Sequence, residues 1–221
     1  MALTVTLLGG ESSGKTSLAQ ALHVALQAQG ITSTLVPELL RTWCEQHGRA
    51  PHAHEQTERA RAQSLAIDFA TRDTTAQVVL ADTTAMVIAA YSELYFEDRS
   101  LWPSAIEEQR TYGLTLLMGL DLPWVPDGLF RDGPALRTAT DAVLRRELQA
   151  ASIPFQTLYG PLDSRAQQAL RAIGTLLDRS LVAEDPHWAQ GRRPWTCEKC
   201  SDPDCEHRLF TQLLQQRTRE T

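Results

Sequence analysis

ALTVTLLGGESSGKTSLAQAL, residues 2–22, decides how the rest of the chain is read. Residues 2–8 form a short apolar run with β-branched members, the composition of a strand buried on both faces. From residue 15, Leu18, Leu22 and Leu26 recur at helical spacing, and Gly30 stands where a C-terminal cap belongs. Between strand and helix, Gly9, Gly10, Glu11, Ser12, Ser13, Gly14, Lys15 and Thr16 match G-x-x-x-x-G-K-[ST] in full. The glycines let backbone N–H groups turn inward around phosphate oxygens, and the helix N-terminus adds partial positive charge. This predicts a binding loop for ATP or another purine nucleoside triphosphate, continuing into Ser17. Lys15 would bridge the β- and γ-phosphates, and the Thr16 hydroxyl would ligate Mg²⁺. The plain alternative is a chance glycine turn, and the strand–loop–helix context argues against it.

Working outward, further strands are expected over residues 32–36, 77–81, 114–118 and 155–159. Helices are expected over 15–29, 38–45, 55–72, 84–96, 101–110, 141–150 and 165–179, with Gly/Pro loops at 47–54 and 121–134. Such alternation implies right-handed crossovers and a parallel β-sheet with helices on both faces, the P-loop NTPase architecture of small kinases. After residue 179 the alternation stops and Pro, Trp and Cys accumulate. The expected organisation is therefore a nucleotide-binding domain over 1–179 and a small cysteine-rich C-terminal appendage over 180–221.

Composition sets the outer bounds. A chain of 221 residues can core one α/β domain plus an appendage, and 43% hydrophobic with 22% charged residues is ordinary for a soluble protein. A formal charge of −6 counts against a nucleic-acid partner held by bulk electrostatics. No apolar run approaches the ~20 residues of a membrane span, and residues 2–8 are too short for a signal peptide. A cytoplasmic enzyme with a small-molecule partner is the resulting expectation, with room left for a homo-oligomer. Among the 21 basic residues only Lys15 and Lys199 are lysines. Lysine is thus kept at the position where a phosphate loop needs a compact, flexible ammonium.

Ligands of open α/β sheets sit beyond the carboxyl ends of the strands, and two carboxylates fall there. Asp82, after QVVLA, is placed to serve the Mg²⁺ side; Glu38, after Pro37, would face an acceptor and take a proton from its attacking hydroxyl. Each has a structural alternative: a helix N-cap for Asp82, and first-turn dipole compensation for Glu38. Arg131 and Arg137 flank Gly133-Pro134, where a closing lid could carry arginine to the transferring phosphoryl group; a solvated surface accounts for them equally well. Trp124, between two prolines, either stacks on a flat ring or anchors its loop. Cys197, Cys200, Cys205 and His207 gather within eleven residues, which suits a structural tetrahedral Zn²⁺. His187 and Cys44 are alternatives for the fourth ligand, and an iron–sulfur centre or no metal are the competing readings.

Four segments carry a likeness to a known family: GGESSGKTSLAQAL (9–22), VPELLR (36–41), Asp82-Thr83-Thr84, and DLPWVPDGLFRD (121–132). On them the chain resembles the ribosylnicotinamide kinase-type P-loop domain, an AAA-family ATP-binding protein also found fused in bacterial bifunctional regulators of NAD synthesis. The resemblance spans about residues 3–175. It implies that Trp124 contacts the nicotinamide or base ring, that Asp127 and Arg131 lie in the acceptor and lid region, and that Glu38 is the acceptor-side carboxylate. Residues 42–54 match nothing in the pattern, the cysteine-rich tail lies outside it, and no H-x-G-H adenylyltransferase motif is present. The kinase part alone is expected. The implied reaction moves the γ-phosphate of ATP to the 5′-hydroxyl of a ribonucleoside, with nicotinamide riboside the first guess. The rival reading is a regulatory ATPase whose zinc-bearing tail docks a partner.

Overall fold

In the sheet of this computed structural model, neighbouring residues of a strand face opposite layers, and both layers are apolar. Residues 2–73, 75–125 and 133–182 are described. In chain order these are β1 (Leu3–Leu8), α1 (Lys15–Ala28), β2 (Ser33–Val36), α2 (Leu39–His47), α3 (Gln56–Arg72), β3 (Val78–Asp82) and α4 (Ala85–Phe96). Then come α5 (Trp102–Gln109), β4 (Leu114–Met118), α6 (Pro134–Ala150), β5 (Gln156–Leu158) and α7 (Leu162–Leu176). Val78 and Leu80 of β3, with Leu116 and Met118 of β4, face α1 and α7. Val79 and Ala81 pack on Ile67 and Ala70 of α3, while Leu117 meets the cluster of α4 and α6. The parallel sheet with helices on both faces is as expected.

The strand order is β2-β3-β1-β4-β5, with every pairing parallel. The chain leaves β1 toward one edge and later returns to its other side, so β1 lies at the switch point where α/β sheets open a crevice. Leu7 pairs with Asp82 in the β1–β3 register, which brings the end of β3 beside the loop that follows β1.

Boundaries differ from expectation where capping decides them. The helix expected from residue 141 starts at Pro134: proline fits the first helical turn, and Gly133 precedes it at φ 100°. The closing helix also starts early, at Leu162 after Pro161. Residues 53–55, read as loop, form a 3₁₀ turn. Helix α4 is buried at every position from Ala85 to Ser92, since the sheet, α3, α5 and α6 surround it. Leu181, beyond α7, packs into the α1 layer, and its carbonyl accepts a hydrogen bond from Gln29 Nε2 at 3.0 Å. The cysteine-rich appendage expected from residue 180 falls, after Val182, outside the described residues.

Candidate nucleotide-binding site

The loop between β1 and α1 turns on two glycines. Gly14 sits at φ 84°, in the left-handed region that a side chain resists, and caps α1 without a side-chain bond. The first amides of α1 are thereby left for an anion. Gly10 is needed for a different reason: a Cβ there would stand 3.0 Å from the Arg137 Cα, so α6 seats directly on the loop. Lys15 is buried at 6% exposure, its Nζ donating to the carbonyls of Gly9 at 3.0 Å and Gly10 at 3.1 Å. These bonds hold the ammonium inside the loop. Ser13 Oγ donates to the Gly10 carbonyl at 2.7 Å and tightens the same turn.

Thr16 Oγ1 donates to Asp82 Oδ2 at 2.5 Å, joining the first turn of α1 to the end of β3. Asp82 is 2% exposed, and its Oδ1 has no hydrogen-bond partner among the described residues. The capping alternative for Asp82 does not hold, because Thr84 is the N-cap of α4 and accepts from the Met86 amide at 3.2 Å. A hydroxyl and a buried carboxylate with a spare oxygen form a donor set that fits Mg²⁺.

Glu38 lies at the N-cap of α2, half-buried, and its side chain makes no capping bond. It lines one cleft of about 920 Å³ together with Glu11, Ser12, Ser13, Gly14, Lys15, Thr16 and Ser17 of the phosphate loop. The cleft continues along α2 past Leu40, Arg41, Cys44 and Glu45 to Gly48, and Tyr91 of α4 lines it too. Burial pushes the Cys44 thiol above its ordinary pKa, and the nearby Glu38 carboxylate pushes it further. Cys44 is therefore a neutral wall of the cleft.

Trp124 is half-buried, its indole N–H shielded and without a partner among the described residues. Its neighbours Leu122, Pro123 and Val125 line the cleft, whereas Trp124 itself does not. Asp127 and Arg131 lie outside the described residues, as do Cys197, Cys200, Cys205 and His207. Among the described residues, no three His, Cys, Asp or Glu side chains gather as a metal site. No helix there is long and apolar enough to cross a membrane.

Two arginines behave in ways the sequence did not disclose. Arg137, read equally as lid or solvated surface, is buried; its Nη1 donates to the Leu122 carbonyl at 2.9 Å and the Ser12 carbonyl at 3.4 Å. Arg165, at 1% exposure, donates to the carbonyls of Ser13 (2.9 Å), Gly119 (3.1 Å) and Gly160 (2.8 Å) and to Asp121 Oδ1 (2.6 Å). One guanidinium thus fastens the phosphate loop to the ends of β4 and β5. Burial pulls its pKa down and Asp121 opposes that shift. Among so many arginines Arg165 had no distinguishing neighbour in the sequence, and Gly133-Pro134 beside Arg137 did not decide between its two readings.

A glycine-rich loop, a buried lysine, and a Thr–Asp pair at the switch point of a parallel sheet define a P-loop nucleotide-binding domain. A family profile described as AAA domain matches residues 4–165, and the chain belongs to that family. No curated protein matches the sequence significantly. Among solved structures, the fold is similar to that of NadR protein in complex with NAD and AMP-PNP, at 19% identity and a TM-score of 0.67. It is also similar to NadR protein in complex with NR, at 21% identity and a TM-score of 0.70. Each comparison covers 83% of this chain, and 52% and 54% of the other chains, so this chain spans about half the length of those proteins.

Proposed function

We propose that the chain is an ATP-dependent phosphotransferase that moves the γ-phosphate to the 5′-hydroxyl of a ribonucleoside, nicotinamide riboside being the first candidate. One observation carries this reading: the phosphate loop and Glu38 line the same cleft, which continues along α2 to Gly48. The NadR structures with AMP-PNP and with NR lend the candidate its chemistry. In this mechanism Lys15 holds the β- and γ-phosphates, and Glu38 accepts the proton of the attacking hydroxyl as the new O–P bond forms and the bond to ADP breaks. Mg²⁺, held by Thr16 and by Asp82 directly or through water, would neutralise charge on the phosphate oxygens. Trp124, Asp127 and Arg131 belong to the acceptor and lid side of the same proposal, in a cytoplasmic enzyme whose partner is a small molecule.

The test is ATP turnover with and without nucleosides, reading the phosphorylated product directly. A kinase shows little turnover alone and strong stimulation by its acceptor; slow hydrolysis indifferent to every nucleoside would favour the regulatory ATPase instead. The tail is assigned a structural zinc on Cys197, Cys200, Cys205 and His207. Metal analysis of protein purified without chelators should then find about one Zn²⁺ per chain. Metal-free protein would remove that site.

A further inference from the structure

Gln63 lies in the middle of α3, fully buried, on the same face as Ala60, Ile67 and Ala70. An apolar side chain would fill that position without the desolvation that an amide carries, so the amide calls for a reason. Its hydrogen bonds supply one. Nε2 donates to the Pro37 carbonyl at 3.1 Å and to the Thr83 carbonyl at 3.4 Å, while Oε1 accepts from the Leu39 amide at 3.0 Å. All three partners are backbone groups of two segments, one carrying Glu38 and the other Asp82.

On the first segment, Pro37 and Leu39 are the two neighbours of Glu38, so one amide grips the chain on both sides of it. Leu39 is the first residue of α2, and its N–H is one of the donors that a helix start leaves unpaired. An N-cap side chain ordinarily satisfies such donors, but that of Glu38 does not; Gln63 caps the helix from outside. On the second segment, Thr83 holds φ 87°, a backbone state that β-branched residues rarely adopt. Its carbonyl is tied by Gln63, and the next residue, Thr84, donates through Oγ1 to Gln109 Oε1 at 2.8 Å. The turn that leaves the Asp82 carboxylate facing Thr16 is therefore gripped from two helices.

We infer that Gln63 is a positioning residue for phosphoryl transfer, whose single buried amide fixes the separation between Glu38 and Asp82. The inference rests on the phosphotransferase reading for the roles of those carboxylates. Gln63 touches neither substrate nor metal; it acts through the two backbone segments.

Full-length Gln63→Met and Gln63→Glu separate this from plain packing. Methionine keeps length and volume but loses all three bonds. Glutamate keeps the acceptor for the Leu39 amide; ionised it loses the donors to Pro37 and Thr83, and protonated it keeps one O–H for the two carbonyls. Both variants should lower turnover on the order of 10²-fold while KM for ATP stays within about threefold, because the phosphate loop is untouched. Hydrogen exchange at the Leu39 amide should quicken in Gln63→Met and remain slow in Gln63→Glu. Unchanged turnover in both variants overturns the proposal, as does a parallel loss of ATP affinity and turnover, which marks general loosening. A third readout does not depend on the acceptor: the Mg²⁺ concentration for half-maximal binding of a fluorescent ATP analogue should rise several-fold in Gln63→Met. If the wild-type protein phosphorylates no nucleoside, the phosphotransferase reading falls, and this Mg²⁺ shift alone decides whether Gln63 holds the Asp82 segment. An unshifted midpoint then overturns the tie.

Discussion

The two ends of the cleft are built in opposite ways. At the phosphate end, nine consecutive residues from Gly9 to Ser17 supply the loop, the lysine and the hydroxyl, and Asp82 joins them from the end of β3. At the other end, the segment of Glu38 and α2 meets Tyr91 of α4, and Gln63 of α3, which does not line the cleft, holds the backbone on both sides of Glu38. A binding site made of contiguous backbone survives as a sequence pattern, since the geometry lies in local dihedrals. A site made of helix faces leaves only ordinary leucines, cysteines and glutamates behind.

The comparison breaks most directly at Lys15. Lys15→Ala should reduce phosphoryl transfer by on the order of 10³-fold or more while circular dichroism stays native, since the ammonium serves the loop and not an apolar core. Near-normal transfer would mean that the phosphate end is not where the chemistry lies. At the opposite end, Glu38→Gln should lower kcat by ~10²–10⁴-fold and leave ATP affinity nearly unchanged. If Asp82→Asn had that same effect with no change in Mg²⁺ dependence, the two carboxylates would have exchanged roles.

Smaller effects sharpen the boundary between the ends. Arg165→Met should cost on the order of 3 kcal/mol of stability, read from urea unfolding, because buried carbonyls on three segments lose their donor. A variant as stable as the parent would make Arg165 a bystander. The smallest concerns Glu55, behind the rim at Gly48, where the Arg49 guanidinium and the His52 amide hold its carboxyl down to about 2. With the folded value depressed below the ordinary 4.5, this contribution is present above pH 4.5 and is lost as pH falls toward 2. Glu55→Gln should therefore lower the melting temperature slightly at neutral pH, and the gap to wild type should close across that acid window. A gap that is constant with pH would remove the ion pair as its cause.

Much of the fold was legible. Leu3–Leu8 and Leu114–Met118 match expectation within a residue or so because burial on both faces of a sheet leaves a continuous apolar run, and Lys15–Ala28 because its leucines recur at helical spacing. The early start of α6 at Pro134 was hidden because proline ends one helix and begins another with the same fixed φ. The burial of Arg137 was in neither of its two readings, lid or solvated surface, since charge in a sequence reads as exposed until a packed loop surrounds it.

What the sequence determined by itself was the phosphate loop, the parallel α/β class, and carboxylates at two strand ends. Each follows from local rules: glycine dihedrals, the period of apolar residues, and the place where a strand stops. Only the tertiary structure decided that β3 lies between β1 and β2, so that Asp82 meets Thr16 across 66 positions of sequence. It alone decided that Arg165 and Gln63 serve the site from within the core. Strand order and buried polar partners are set by the packing of whole layers, and a pairing between distant residues leaves no periodic trace in either partner's own sequence.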